Sequence, residues 1–199
     1  MHRPKHIAVA ACTAIALGLT GAACDGGGRA LGPRTVSETT SGDTTIATLQ
    51  VDPTVPQLIR IDDVHEVLIS ANAICAVATS SYGPTEWDQP CTPETAPVTM
   101  TARSSVDSAG NPRVDFTPAL RFNPAADPVK IYMKAPSSNL SGVVILYCPE
   151  SGPCVDESLT DSKLETFRDK NDRSLYYRRI KHFSGYWVTT GYTDGAAAL

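Results

Sequence analysis

The chain carries a hydrophobic pattern with a period of two over most of residues 46–190. Successive side chains of an extended strand point to opposite faces, so this alternation predicts strands with one buried and one solvated face. The segments are also rich in Val, Ile, Thr, Tyr and Phe, which strands favour. They are HEVLIS, PVTMTARS, PRVDF, PVKIYMK, GVVILYC, SLYYRRI and SGYWVTT.

Turn residues punctuate these segments and decide the fold class. Fifteen prolines and fourteen glycines are spread through the 199 residues, which favours many short elements over long helices. Seven or more strands with this punctuation predict an all-β protein, an antiparallel β-sandwich over residues 46–190. DESLTDSKLETFRDKND has a weak helical pattern and fits either a short surface helix or a polar loop.

Two segments also predict where their strands lie. In PVKIYMK, Val129, Ile131 and Met133 share one face and polar residues share the other, so this strand is expected to be solvated on one side. GVVILYC is apolar on both faces, which predicts a central strand.

The N-terminal residues predict export. MHRPKH is a short basic region, and IAVAACTAIALGLTGAA is an apolar run ending in small residues, so residues 1–23 are predicted to be a signal peptide. The run is short for a membrane span and no basic flank follows it. Residues 24–45 are expected to form a flexible tether, and residues 191–199 a flexible tail.

Cys24 has two possible fates after export. GLTGAAC resembles a bacterial lipobox, in which Cys24 becomes the lipidated first residue, although Gly21 stands where leucine is usual. Ordinary cleavage near Ala23 would instead leave Cys24 as a free thiol. An unpaired exported thiol is unusual, so we expect lipidation. The protein is then expected on the outer face of a bacterial membrane, in the periplasm or outside the cell.

Four cysteines remain in the predicted domain, an even number that favours two disulfides in an oxidising compartment. Three connectivities are possible. Proximity along the chain favours Cys75–Cys91 and Cys148–Cys154. No C-x2-C pair is present and no domain histidine lies near a cysteine, so a zinc site is not expected. No other metal and no cofactor is expected.

The charge excludes one class of partner. The precursor has a net charge of −4, and removal of residues 1–23 takes away Arg3 and Lys5, leaving 15 basic against 21 acidic residues and a net charge of −6. Nucleic-acid phosphates call for a concentrated basic face, so a nucleic-acid partner is not expected. The expected partners are a membrane, reached through the lipid anchor, and a protein or glycan of unknown identity.

The segment RRIKHFSGYW, residues 178–187, is the strongest candidate for chemistry. His182 and Ser184 are a base and a nucleophile two residues apart. The competing interpretation is a closing strand that packs Phe183 and Trp187 on one face and needs no chemistry.

Two other groups of residues admit alternatives. His65 stands among Asp62, Asp63 and Glu66, which fits a metal-ligand set or, more simply, a solvated strand entry. Between Cys75 and Cys91, the aromatic residues Tyr82 and Trp87 could bind a partner or a sugar. The same loop could equally pack on itself, held by its disulfide.

Several motifs, in order, resemble the ZU-five domain, the β-sandwich of ankyrins, netrin receptors and zonula-occludens protein. VLISANAI stands where the family has a strand running into vPaGAl, with Ser70 for the proline and Asn72 for the glycine. PVTMTA is similar to the family's PVTITv, VDFTPALRFNPAADPVKIYM to its yeFgPsGltFskPVtltl, and HFSGYWV to its closing strand. The resemblance spans residues 58–188 and is closest to secreted bacterial versions.

This resemblance gives the serine a specific role. Some eukaryotic ZU-five proteins cut themselves within a His-Phe-Ser triplet, which here implies His182 as base, Ser184 as nucleophile and Phe183–Ser184 as the scissile bond. Most members of the family do not cut themselves. The sequence therefore predicts an exported, lipid-anchored surface protein with a non-enzymatic interaction or structural domain. The alternatives are self-cleavage at Phe183–Ser184 and, more weakly, a carbohydrate-binding sandwich.

Overall fold

Residues 34–135 and 141–190 are described by the structure, a computed structural model. The predicted signal peptide, Cys24 with its lipid anchor, the first part of the tether and the tail at 191–199 lie outside the described residues. Those predictions stay predictions.

Two antiparallel sheets pack against each other and confirm the predicted β-sandwich. The strands of the described part are β1 Arg34–Ser41, β2 Thr44–Val51, β3 Gln57–Arg60, β4 Glu66–Ile69, β5 Val98–Val106, β6 Pro112–Thr117, β7 Val129–Lys134, β8 Val144–Cys148, β9 Phe167–Arg168, β10 Leu175–Ile180 and β11 Gly185–Thr189. One sheet has six strands in the order β1-β2-β5-β6-β11-β8, and the other has five in the order β3-β4-β7-β10-β9.

The inward faces of both sheets form one hydrophobic core. Val129, Ile131 and Met133 of β7 are buried in it, while the intervening residues face outward, as the alternation predicted. Full burial of one such side chain stabilises the fold by about 1.5–3 kcal/mol. The turn after β4 also forms, with Asn72 at φ 58°, because asparagine tolerates the left-handed region.

The predicted tether at 24–45 is wrong from Arg34 onward. Residues 34–51 form a hairpin in which Ser41 pairs with Thr44 across a turn that contains Gly42 at φ 58°. β2 then pairs with β5 along its length and buries Ala47, Leu49 and Val51. The segment is rich in threonine, which is polar enough to suggest a linker but also suits a half-exposed strand.

β8 is an edge strand of the six-stranded sheet, not the central strand that its apolar faces predicted. Residues 155–166 cover this edge: Tyr147 and Val155 exchange backbone hydrogen bonds of 2.9 and 2.7 Å, and the Ile145 N–H donates to Thr166 Oγ1 at 3.0 Å. A covered edge strand is buried on both sides, which explains its composition.

Residues 155–166 form a polar loop, one of the two alternatives for DESLTDSKLETFRDKND, with two short 3-10 turns at Glu157–Leu159 and Ser162–Leu164. Each turn is capped by an aspartate, Asp156 or Asp161, whose carboxylate accepts a backbone N–H hydrogen bond. The first turn carries Glu157 inward, toward the end of β10.

A bend at Ser184 separates the end of the chain into two parts, so Phe183 and Trp187 do not pack on one face. Phe183 is fully buried, whereas Trp187 is partly exposed and donates to Asp107 at 3.1 Å. Gly185 follows the bend, and a Cβ there would lie 2.9 Å from the Cys148 carbonyl oxygen. Only glycine lets β11 approach β8 this closely.

The cysteines pair as their proximity favoured, Cys75 with Cys91 and Cys148 with Cys154. Disulfides persist in oxidising compartments. Within the described ranges, no helix has the length and apolar character needed to cross a membrane.

Candidate functional site

His182 lies fully buried between a hydroxyl and a carboxylate. Its Nδ1 is 3.2 Å from Ser184 Oγ, and its Nε2 is 3.4 Å from Glu157 Oε1. The carboxylate beside Nε2 favours a proton on that nitrogen, which leaves the Nδ1 lone pair facing the serine. The three side chains therefore form a nucleophile, base and orienting acid in one row.

Arg178 holds the carboxylate in place from inside the sandwich. It is fully buried and donates to Glu157 Oε2 at 2.7 Å and to the Ile145 carbonyl at 2.7 Å. Burial would raise the pKa of Glu157, but the hydrogen bond to His182 and the charge of Arg178 hold that pKa below its ordinary value. Glu157 is thus ionised and available to orient the imidazole.

Burial also sets the protonation of the histidine. Desolvation lowers the pKa of His182 below its usual 6.5, against the opposing pull of Glu157. The imidazole is therefore neutral at neutral pH, the form that can accept a proton.

Residues 76–90 form a loop that covers the histidine. The Trp87 ring stacks on the His182 ring with centroids 3.8 Å apart and planes 22° from parallel. The Tyr82 hydroxyl donates to the Phe183 carbonyl oxygen at 2.9 Å and lies 3.3 Å from His182 Nδ1. Burial raises the pKa of Tyr82 to about 12, so the hydroxyl keeps its proton.

Three kinds of contact hold this covering loop. The Cys75–Cys91 disulfide closes its ends. Arg121, which is buried, donates to the Gln89 carbonyl at 2.6 Å and also to that of Glu86. Lys181 contacts Asp88 of the loop at 2.7 Å and Asp161 of the 155–166 segment at 2.9 Å. Lys181, the residue before His182, therefore links the loop of residues 76–90 to the segment of residues 155–166.

The backbone around Phe183–Ser184 is fixed on each side of the bond. The Phe183 N–H donates to the Leu120 carbonyl at 2.7 Å, and the Ser184 carbonyl accepts from the Phe116 N–H at 3.0 Å. Tyr186 donates its hydroxyl to the His182 carbonyl at 2.6 Å. The Phe183 carbonyl, in contrast, accepts a hydrogen bond from the hydroxyl of Tyr82. The carbonyl that precedes the serine thus has a hydroxyl donor directed at its oxygen.

Ser184 also lines a cleft that is open to solvent, with a volume of about 320 Å³. The walls include Tyr82 and Tyr147, together with the charged residues Arg113, Asp115 and Glu150. Water can reach the serine from this side, although the histidine behind it is buried.

The DDVHE residues do not meet as a metal site. His65 is buried, with Nδ1 2.6 Å from Asp62 Oδ2 and 3.4 Å from Ser104 Oγ. Burial would raise the pKa of Asp62, but hydrogen bonds, led by that to His65, hold it well below its usual range. Glu66 lies on β4 and pairs with Arg60 and Tyr132 in the sheet register. Among the described residues, no cluster of three His, Cys, Asp or Glu could hold a metal.

Trp87 is not available to a sugar or partner, which corrects the prediction that Tyr82 and Trp87 form a binding surface. Only 8% of Trp87 is exposed, because its ring stacks on His182. Tyr82 is 42% exposed but has its hydroxyl on the Phe183 carbonyl. The alternative of a loop that packs on the domain is the one observed.

The sequence predicts His182, Ser184 and Phe183 as site residues but not Glu157 and Arg178. One signal was present, since the alternation of SLYYRRI places Arg178 inward with Tyr176 and Ile180. A buried arginine requires an acidic partner. Nothing in the sequence identifies which of the 21 acidic residues it is.

Comparison with known families, with characterised proteins and with solved structures finds no match to this chain.

Proposed function

We propose that the domain cuts its own chain between Phe183 and Ser184. The supporting observation is that the Ser184–His182–Glu157 row stands directly after a carbonyl whose oxygen accepts a hydrogen bond from Tyr82. Nucleophile, base, orienting acid and oxyanion donor thus converge on one peptide bond.

The reaction begins with an acyl shift. Ser184 Oγ attacks the Phe183 carbonyl carbon while His182 Nδ1 takes the hydroxyl proton, and the developing oxyanion is stabilised by the Tyr82 hydroxyl. The C–N bond then breaks, and the serine nitrogen receives the proton from His182 and becomes a free amine. The product is an ester between the Phe183 carbonyl and Ser184 Oγ.

Water completes the cut. A water molecule from the cleft attacks the ester carbonyl, with His182 again as base, and the bond to Ser184 Oγ breaks. The products are a Phe183 carboxylate and a chain that begins at Ser184 with its hydroxyl restored. Glu157 orients the imidazole in both halves of the reaction.

The C-terminal piece, residues 184–199, is expected to stay in the sheet after the cut. β11 lies between β6 and β8 and pairs with both, and its Tyr186 and Val188 are fully buried. The cut protein would therefore keep its fold and separate only on denaturation.

The setting that we propose is an exported, lipid-anchored surface protein with a ZU-five-type domain. The order of motifs across residues 58–188 and the two disulfides support this setting. In this setting the sandwich, whole or cut, serves as an interaction or structural module held at the membrane surface.

The experiment is the mass of the purified protein, with both disulfides formed, after denaturation. Self-cleavage yields a chain ending at Phe183 and a peptide of residues 184–199. A chain that remains whole after long incubation at neutral pH rules the proposal out.

Tyr82→Phe tests the oxyanion donor. Loss of one such donor slows a reaction of this kind about 10²–10³-fold, so uncut chain should accumulate and convert slowly. Tyr147→Phe is the matched control, because Tyr147 packs edge-on against His182 with centroids 4.6 Å apart and lines the same cleft. The cut fraction is followed by mass over time. Equal cleavage rates in Tyr82→Phe and Tyr147→Phe would show that the Tyr82 hydroxyl does not stabilise the oxyanion.

The pH dependence tests His182. The base must be neutral, and its pKa lies below 6.5, so the rate should be constant above about pH 6.5 and fall as His182 is protonated in acid. The slow Tyr82→Phe variant provides a measurable time course at each pH. A rate that still rises steeply between pH 7 and pH 9 would contradict a neutral His182 as the base.

A further inference from the structure

Self-cleavage needs only water at Ser184, yet the serine lines a cleft of about 320 Å³. Clefts of roughly 300–1,000 Å³ commonly accommodate small organic molecules. The Ser184 side of the site is therefore large enough for an external substrate.

The reactive groups needed for such a substrate are already in place. His182 uses opposite ring nitrogens for its two partners, Nδ1 for Ser184 and Nε2 for Glu157. A proton can thus be taken at one nitrogen while the carboxylate stabilises the charge at the other.

A second cluster in the chain shows that residue types alone are insufficient. Ser104, His65 and Asp62 also lie together, but both partners contact the same nitrogen, His65 Nδ1. Ser104 is only 6% exposed. This cluster has neither the relay across the ring nor a serine that solvent reaches, whereas in the Ser184 cluster the histidine bridges its two partners and the serine is partly exposed.

We propose that Ser184 also acts on external substrates, as the nucleophile of a serine esterase that takes small esters from the cleft. This activity shares residues with self-cleavage but does not depend on it. The Ser184 hydroxyl is present in the uncut chain and is restored in the cut one.

The steps follow from the geometry. Ser184 Oγ attacks the ester carbonyl of the substrate, and His182 Nδ1 takes the hydroxyl proton. The bond to the alcohol oxygen breaks, and the alcohol leaves with the proton from His182. Water then attacks the acyl-serine with His182 as base, which releases a carboxylate and restores the Ser184 hydroxyl. The Tyr82 hydroxyl, which lines the cleft with Ser184 and donates to the Phe183 carbonyl oxygen at 2.9 Å, is the donor for the oxyanion.

The walls of the cleft indicate the class of ester. Tyr82 and Tyr147 provide aromatic surface. Arg113 is paired with Asp115 through hydrogen bonds of 2.8–3.0 Å. Asp115 therefore neutralises the charge of Arg113. The carboxylate of Glu150 then gives the cleft a net negative charge. The site should therefore prefer a neutral or cationic ester over an anionic one.

The first test uses an alkyl fluorophosphonate, which loses fluoride when a reactive serine attacks phosphorus. We expect one adduct, located on Ser184 by mass spectrometry, either in the uncut chain or in the 184–199 peptide. Ser184→Ala should lose it, His182→Gln should label about 10²–10⁴-fold more slowly, and Ser104→Ala should label as the wild type does. Absence of label on Ser184 in both forms of the chain overturns the proposal, as does equal labelling of Ser184→Ala.

The second test measures turnover. Hydrolysis of p-nitrophenyl acetate should require Ser184 and exceed that of the anionic p-nitrophenyl hemisuccinate. Glu150→Gln should narrow this preference a few-fold at low salt, an effect that falls as salt screens the exposed carboxylate. Turnover that persists in Ser184→Ala overturns the esterase proposal. A preference that Glu150→Gln leaves unchanged would show that the negative charge of Glu150 does not select between the two esters.

The two proposals can fail separately. An uncut chain that carries the label on Ser184 contradicts self-cleavage and supports the esterase. A cut chain whose Ser184 remains unlabelled does the reverse.

Discussion

Replacing Ser184 by alanine should abolish cleavage and leave one uncut chain of full mass. Ser184 Oγ is the atom that attacks the Phe183 carbonyl in the proposed mechanism, and it lies 3.2 Å from His182 Nδ1. Without the hydroxyl no ester can form, so the expected effect is complete loss rather than slowing. Mass spectrometry of the denatured variant measures it directly.

Conservative variants separate chemistry from folding in this experiment. Ser184→Thr keeps a hydroxyl and Ser184→Cys supplies a thiol, so both should retain some cleavage, while Ser104→Ala should cut as the wild type does. Ser184 is partly exposed, so its alanine variant should fold as the wild type does, which the far-UV circular dichroism spectrum checks. A fragment beginning at residue 184 in the alanine variant would contradict the mechanism.

Replacing Arg178 by methionine should produce the largest loss of stability. Its guanidinium is fully buried and pairs with Glu157, which is itself buried. Methionine fills much of the space but leaves the Glu157 carboxylate without the guanidinium that donates to it at 2.7 Å. Removal of one member of a buried ion pair costs about 3–5 kcal/mol of unfolding free energy. Urea unfolding of the uncut chain, with Ser184→Ala in every protein compared and both disulfides intact, measures this cost.

The neighbouring residue provides a matched control. Arg179 is exposed on the opposite face of β10, and Arg179→Met should change the unfolding free energy by no more than about 0.5 kcal/mol. The double variant Arg178→Met with Glu157→Gln should recover part of the loss, because the uncompensated charge is gone. Equal stabilities of Arg178→Met and Arg179→Met would show that the pair does not hold the site together.

The fold was predictable where the hydrophobic alternation is strong. The seven segments chosen from their pattern are strands β4, β5, β6, β7, β8, β10 and β11. The hairpin β1–β2 was missed because it is rich in threonine. Threonine favours strands, but as a polar residue it also fits a linker. The edge position of β8 was missed because apolar residues on both faces predict a central strand, and the polar sequence of residues 155–166 does not show that this segment covers the edge.

The site was predictable only in its local part. His182 and Ser184 are two residues apart, so their proximity is visible in the sequence. Glu157 reaches His182 across 25 residues, and Tyr82 reaches Phe183 across 101. Such pairings depend on how loops dock on the finished sandwich, which periodicity does not encode. Trp87 was predicted to lie on a surface for the same reason, although its ring projects from the inner side of the loop onto the histidine.

Trapping of the ester with hydroxylamine tests the central claim most directly, because it reports both the bond and the atom that attacks it. Freshly prepared Tyr82→Phe protein, which is cut slowly, is incubated with hydroxylamine, denatured and weighed. The mechanism predicts an N-terminal fragment that ends in a Phe183 hydroxamate, together with a peptide beginning at Ser184, and neither in Ser184→Ala. An uncut chain in the wild type, or fragments that end at any other residue, would contradict it.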